Sequence, residues 1–93
     1  MTKAFEDRFY QHRSGGVYQC KHSCVLSTID QTEWVVYTHV WPFDATTWIR
    51  PKIQWEEEGK FREVAGTELM ELFARDRDVF QNEIFEAKRL AKG

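Results

Sequence analysis

The sequence predicts an α+β fold: a small antiparallel β-barrel followed by a C-terminal amphipathic helix. Two textures and one spacing predict it. Up to residue 65 the chain is rich in Val, Ile, Thr, Trp and Tyr in short runs, which suits strands. Beyond Gly66 it carries Glu, Leu, Ala, Phe, Arg and Lys with no Gly or Pro until Gly93, which suits helix. The strand-like runs are short and closely spaced, which favours closure into a barrel over a lone sheet with raw edges. The chain therefore divides into a β unit at 1–66 and a helical tail at 67–93, packed on the barrel or on a second copy.

Ser14-Gly15-Gly16 reads as a turn, because glycine accepts positive φ without steric cost. Val17 to Leu26 follows as a strand, and Ser27 to Gln31 as a polar turn. Glu33 to Trp41 is the strongest strand signal. Its residues from Trp34 to Trp41 are nearly all β-formers, with apolar side chains on both faces, so cover is expected on both. Pro42 ends pairing there, since it donates no backbone hydrogen bond. Thr46 to Ile49 reads as a short strand, Ile53 to Glu57 as a fourth, and Phe61 to Val64, after the turn at Gly59, as a fifth. The body is thus expected to be all β from about Arg8 to Val64.

In the tail, Thr67 is a suitable N-cap, and Glu68 and Glu71 lie in the favourable first turn. At helical spacing Leu69, Leu72, Phe73, Val79, Phe80, Ile84, Ala87, Leu90 and Ala91 form one apolar stripe. Asp76 and Glu83 intrude on it. One helix from Thr67 to about Ala91 must solvate these two acids. A break near 76–78 avoids that, with Asp78 to Gln81 as a capping box for a second helix. Met70 and Phe85 lie off the stripe.

Composition excludes several classes of function. Lys and Arg number 13 against 15 Asp and Glu, a net charge of −2, so no polybasic field advertises nucleic acid or anionic lipid. The acidic excess sits in residues 56–93, at net −3. A hydrophobic fraction of 42% with 15% aromatics argues against disorder. No apolar run approaches the ~20 residues of a membrane span, and the first residues lack a signal peptide's apolar stretch. Two cysteines are too few to staple a secreted mini-fold, so a cytoplasmic setting is expected.

Cys20, His22 and Cys24 are metal-ligand types, but on a strand Cys20 and Cys24 stand ~13 Å apart, beyond the reach of one zinc ion. Both are expected to be free cysteines packing as small hydrophobes, with no metal bound. No Gly-x-Ser-x-Gly elbow, phosphate-cradling glycine loop or cysteine at a helix N-terminus supports catalysis. Neither a catalytic set nor a cofactor is expected. Glu56-Glu57-Glu58 reads as a solvated turn.

Tryptophans stand at 34, 41, 48 and 55, and four exceed what one small core needs. One or two are expected at the surface, where exposed aromatics beside Arg50 would make a recognition surface. Tyr10-x-His12, Gly16-Val17-Tyr18, Val35-Val36-Tyr37 and Trp48-Ile49-Arg50-Pro51 together form an ordered pattern over about residues 9–62. It resembles a small bacterial and phage family of domains of unknown function. Members of that family read Tyr-x-His-x-x-Gly-x-x-Tyr, then Val-Val-Tyr, then Trp-Val-Arg-Pro, then a Phe after a polar turn. The resemblance implies a compact SH3-like β-barrel and motif positions, and carries over no statement of activity. A His-Ser-Glu-Thr-type turn usual in the family is replaced here by Ser27 to Thr32, without its His.

These readings converge on a non-enzymatic binding module in which Tyr37, Trp41, Trp48 and Arg50 engage a protein partner. A phage-encoded modulator of a host protein is one concrete form. Phe73, Phe80, Ile84 and Phe85 are expected to make a homodimer interface, because a small barrel has only part of its surface free to cover the tail's stripe. The alternative is a small nucleic-acid-binding regulator, since Leu72 to Phe80 loosely resembles a helix-turn-helix. The net −3 of that half and its missing turn glycine weigh against it.

Overall fold

The computed structural model describes residues 2–92. Strands β1 (Phe9–His12), β2 (Val17–Leu26), β3 (Glu33–Trp41) and β4 (Thr46–Pro51) lead into a one-turn helix α1 (Lys52–Trp55). Strand β5 (Phe61–Val64) then precedes helices α2 (Gly66–Ala74) and α3 (Arg77–Lys92). All strand pairs are antiparallel, in the order β4-β3-β2-β1-β5. The sheet is open: β4 and β5 are its edges and do not pair with each other.

Five strands were expected and five form, but one differs. The stretch Ile53 to Glu57 is not a strand. Pro51 closes β4, and the next four residues make one helical turn instead. A strand would put Ile53 and Trp55 on one face. The turn separates them, leaving Ile53 exposed while Trp55 is fully buried. The place of that strand is taken by β1, which pairs with both β2 and β5.

The sheet carries a core on each face. Tyr10, Cys20, Val35, Tyr37, Trp55 and Phe61 form the first, with Trp55 stacked on Phe61 at 3.9 Å between ring centroids. Val17, Val64, Phe80 and Ile84 form the second. Register explains the division. Phe9 stands opposite Val64, and Gln11 opposite Val17, so these residues face away from Tyr10. The face of β3 that bears Val35, Tyr37 and His39 is buried, whereas Trp34, Val36, Thr38 and Val40 are only half-buried, so the cover expected on both faces is complete on one.

Strand β2 breaks its alternation. Cys20 pairs with Tyr37, but His22 pairs with Val36 and Val25 with Trp34, a register shift on each side of His22. Cys20 therefore faces the core while His22 faces the other way, and Cys24 is exposed rather than buried. Cys24 Sγ donates to Glu33 Oε2 at 3.0 Å. Among the described residues no group of three or more His, Cys, Asp or Glu is placed to hold a metal ion.

The tail is broken, at Arg75 and Asp76. Asp76, not Asp78, starts the second helix: its Oδ1 accepts the Val79 backbone N–H at 3.0 Å. Glu83 pairs with Arg75, whose guanidinium also lies over the Phe80 ring at 4.3 Å. The two intruding acids are thus solvated by a cap and an ion pair. The N-cap of α2 is Ala65 rather than Thr67, and Gly66 takes φ +57° just after it. No helix is long and apolar enough to cross a membrane among the described residues.

Candidate binding cleft

Helix α3 is tied to the β3–β4 turn by three hydrogen bonds. Arg77 Nε and Gln81 Nε2 each donate to the Pro42 carbonyl at 2.8 Å, and Arg77 Nη2 donates to Asp44 Oδ1 at 2.8 Å. On its other side α3 rests on the β1–β2 turn. Gly15 has φ +117°, and a Cβ there would meet Ile84 Cγ1 at 3.0 Å, so only glycine allows this approach. Held at both turns, α3 leaves a cleft of about 320 Å³ between itself and the face of the sheet that bears Tyr18, His39 and Trp48.

The cleft is aromatic. Tyr18, His39, Phe43 and Phe85 make a continuous row with ring centroids 4.7, 5.4 and 5.3 Å apart in turn. Trp48 of β4 lines the cleft with them, and Lys88, Asp44, Thr46 and Ser14 supply polar atoms. Trp48 is 52% exposed and Phe85 56% exposed, although both have large apolar rings. Trp48 sits on an edge strand opposite the buried Tyr37, so it has a neighbour on one side only.

Two histidines stand here, both neutral near pH 7. His39 Nε2 accepts the Phe43 backbone N–H at 3.0 Å, which puts its own proton on Nδ1. Burial, then the charge of Lys88, lowers its pKa to about 4. His12 Nδ1 accepts the Ser14 backbone N–H at 3.1 Å and lies 2.8 Å from Ser14 Oγ. Its pKa is lowered to about 4 by burial first, then by Arg50, Arg13, Lys60 and Lys88. The His12–Ser14 pair closes the β1–β2 turn.

The sequence pattern draws together around Phe61. His12, Tyr18 and Tyr37 place their rings 5.0, 6.1 and 5.9 Å from its centroid, and the Arg50 guanidinium lies 5.6 Å over it. Arg50 Nε donates to the Tyr37 hydroxyl at 3.2 Å. No carboxylate pairs with Arg50 among the described residues. Tyr18 belongs both to this cluster and to the cleft, so the two are continuous.

Of the residues expected to bind a partner, only Trp48 lines the cleft. Arg50 is half-buried behind it, Tyr37 is a core residue, and Trp41 is half-buried in the second core with its indole N–H unpaired. Of the residues expected at a dimer interface, Phe80 and Ile84 lie in this chain's own core at 2% and 1% exposure. That corrects their expected role: the sheet itself covers them. Phe73 is partly exposed and meets Phe9 edge-on at 6.0 Å, and Phe85 faces the cleft. Sequence reasoning missed Tyr18, His39 and Phe43 as lining residues. The pattern Gly16-Val17-Tyr18 held the only signal for any of them.

No protein-family model, curated protein or solved structure matches the chain.

Proposed function

We propose that the protein is a non-enzymatic protein-binding module whose cleft between β4 and α3 receives a large apolar side chain of a partner protein. One observation carries this reading: Trp48 and Phe85 stay exposed on different elements while lining one concave, aromatic space. A volume of about 320 Å³ falls at the small end of ligand sites, which suits one side chain better than a large cofactor. Aromatic anchors in concave sites dominate protein interfaces. Both cleft-side histidines are neutral and turned to structural partners, which suits recognition more than proton transfer.

The topology supports reading the β unit as a partly opened SH3-like barrel. Strand β5 pairs with β1, β1 to β4 form a meander, and a helical turn separates β4 from β5. The convergence of His12, Tyr18, Tyr37 and Arg50 on Phe61 supports the resemblance to the bacterial and phage domain family, and a phage-encoded modulator of a host protein remains its concrete form. Nucleic-acid binding through the tail is the weaker reading, because Arg75, Arg77 and Arg89 are each held by an acid of this chain.

Panning a random-peptide phage library on the immobilised protein tests the proposal. Enriched peptides should lose about thirtyfold in affinity on Trp48→Ala, the ~2 kcal/mol of a hot spot, without a change in melting temperature. Peptides that bind Trp48→Ala and Phe85→Ala as well as the parent, or no enrichment at all, would remove it.

A further inference from the structure

Cations without a carboxylate partner gather beside the cleft. Five of the seven arginines hold a carboxylate of this chain, and among the described residues Arg13 and Arg50 do not. Lys88 has no such partner either among the described residues. These three are not scattered. Arg50, Arg13 and Lys88 all act electrostatically on His12, together with Lys60. Lys60 pairs with Glu57 at 2.7 Å, and Arg13 and Arg50 act on that carboxylate only through space, so of these four Arg13, Arg50 and Lys88 are the cations without an ion pair among the described residues.

The hollows of the surface join Arg13 and Lys88 to the aromatic cleft. Arg13 and Lys88 line a second hollow of about 390 Å³ with His12, Ser14, Ala87 and Ala91. Ser14 and Lys88 line the cleft as well, so the two spaces run into each other. Arg13 and Lys88 are exposed and free to move toward a ligand. Arg50 is held in place by two neutral groups, the Tyr37 hydroxyl and the Phe61 ring, which orient its planar fork without neutralising it.

We propose that this combined surface docks an acidic peptide segment of the partner protein, with one large apolar side chain in the cleft between Trp48 and Phe85 and flanking carboxylates on Arg13, Arg50 and Lys88. The inference rests on the cleft being the binding site and adds the chemistry of what enters it. Charge complementarity selects the occupant. A chain of net charge −2 repels acidic partners at long range, yet here keeps three cations unpaired beside an apolar slot. Carboxylates would relieve that local like-charge cluster and make charge-assisted hydrogen bonds with it. A nucleic-acid strand needs a continuous basic track, and Asp44 on the cleft wall and Glu57 beside Lys60 interrupt one.

The test uses the full chain and the same random-peptide library. Enriched peptides should carry Phe, Trp or Leu with Asp or Glu close by. They should bind Arg13→Glu/Lys88→Glu about tenfold more weakly than the parent, and should weaken as salt rises from about 50 to about 300 mM. Arg13→Gln/Lys88→Gln repeats the measurement if the charge reversal impairs folding, and should lie between the two. Peptides that need Trp48 but show no acidic bias, and that bind the reversal variant equally well, would overturn the acidic partner and leave the cleft reading standing. Peptides indifferent to Trp48 would overturn both. An oligothymidylate that binds more tightly than any selected peptide, and is lost on charge reversal, would overturn the proposal in favour of nucleic acid.

Discussion

Replacing Phe80 by Ala asks whether the tail belongs to this chain's core or to an interface between copies. Phe80 is 2% exposed, packs with Val17, Val64 and Ile84, and carries the Arg75 guanidinium over its ring. Truncating a buried Phe costs ~3–5 kcal/mol, transfer and cavity terms together. The cation–π contact adds ~0.5–1 kcal/mol at a partly exposed site. A chain of 93 residues has a total stability of about 5–14 kcal/mol, so the substitution removes about a quarter or more of it. At ~4–8 °C per kcal/mol the melting temperature should fall by at least about 12 °C. Urea unfolding followed by far-ultraviolet circular dichroism measures the loss, with Val79→Ala as the exposed neighbour, expected within ~0.5 kcal/mol of the parent. A loss below ~1 kcal/mol for Phe80→Ala, accompanied by a change of mass in light scattering, would refute the packing and return Phe80 to an intermolecular interface.

Gly15→Ala should destabilise more than Gly59→Ala in thermal melts. Both have positive φ, but only at Gly15 does the added methyl meet Ile84 and Phe80, and equal losses would show that α3 does not rest on the β1–β2 turn. Cys24 is exposed whereas Cys20 is buried with its pKa pushed up to about 11, so Ellman's reagent should titrate one thiol in the native chain and both in urea. Two reactive native thiols would contradict the placement of Cys20. His12 and His39 have folded pKa values below the unfolded one, so the native state binds fewer protons. Their contribution to stability is complete above pH ~6.5 and is lost as pH falls toward about 4. Proton NMR titration should place both midpoints near 4, and a His39 midpoint at or above ~6.5 would rule out its buried, accepting Nε2.

Local chemistry made most of the elements legible. Strand β3 declares itself by eight consecutive residues from Trp34 to Trp41, nearly all β-formers, and the break at Asp76 follows from two acids on an apolar stripe. What stayed hidden depends on partners far along the chain. Strand β1 is only four residues long and buries only Tyr10, so its hydrophobic pattern is too short to read. It exists because β2 and β5 flank it. Ile53-x-Trp55 has the alternation of a strand, and only the cluster of Tyr10, Tyr37 and Phe61 waiting for one indole makes a helical turn the better solution. The two shifts on either side of His22 likewise have no mark in the run Cys20 to Val25, and Cys24, expected to pack inside, is exposed.

The cleft was half legible for the same reason. That one or more tryptophans must be exposed follows from their number, but which one follows from strand order. Trp48 is on the edge strand β4, with only Tyr37 across from it, whereas Trp34 and Trp41 lie on β3 between two neighbouring strands and Trp55 is enclosed. Net charge hid the cations equally well. A total of −2 says nothing about pairing, and pairing decides what a charge is free to do. The acids near Arg8, Arg62, Arg75, Arg77 and Arg89 neutralise those residues locally, four of the five acids coming from the acid-rich half of the chain. Arg13, Arg50 and Lys88 escape because, among the described residues, Glu57, the acid that feels two of them, is paired with Lys60. Trp48 and Phe85 stay uncovered beside Lys88. An apolar slot and an uncompensated positive charge are each unfavourable in an isolated chain, one through exposed aromatic surface and the other through repulsion. A single kind of ligand, apolar at its centre and acidic at its flanks, relieves both at once.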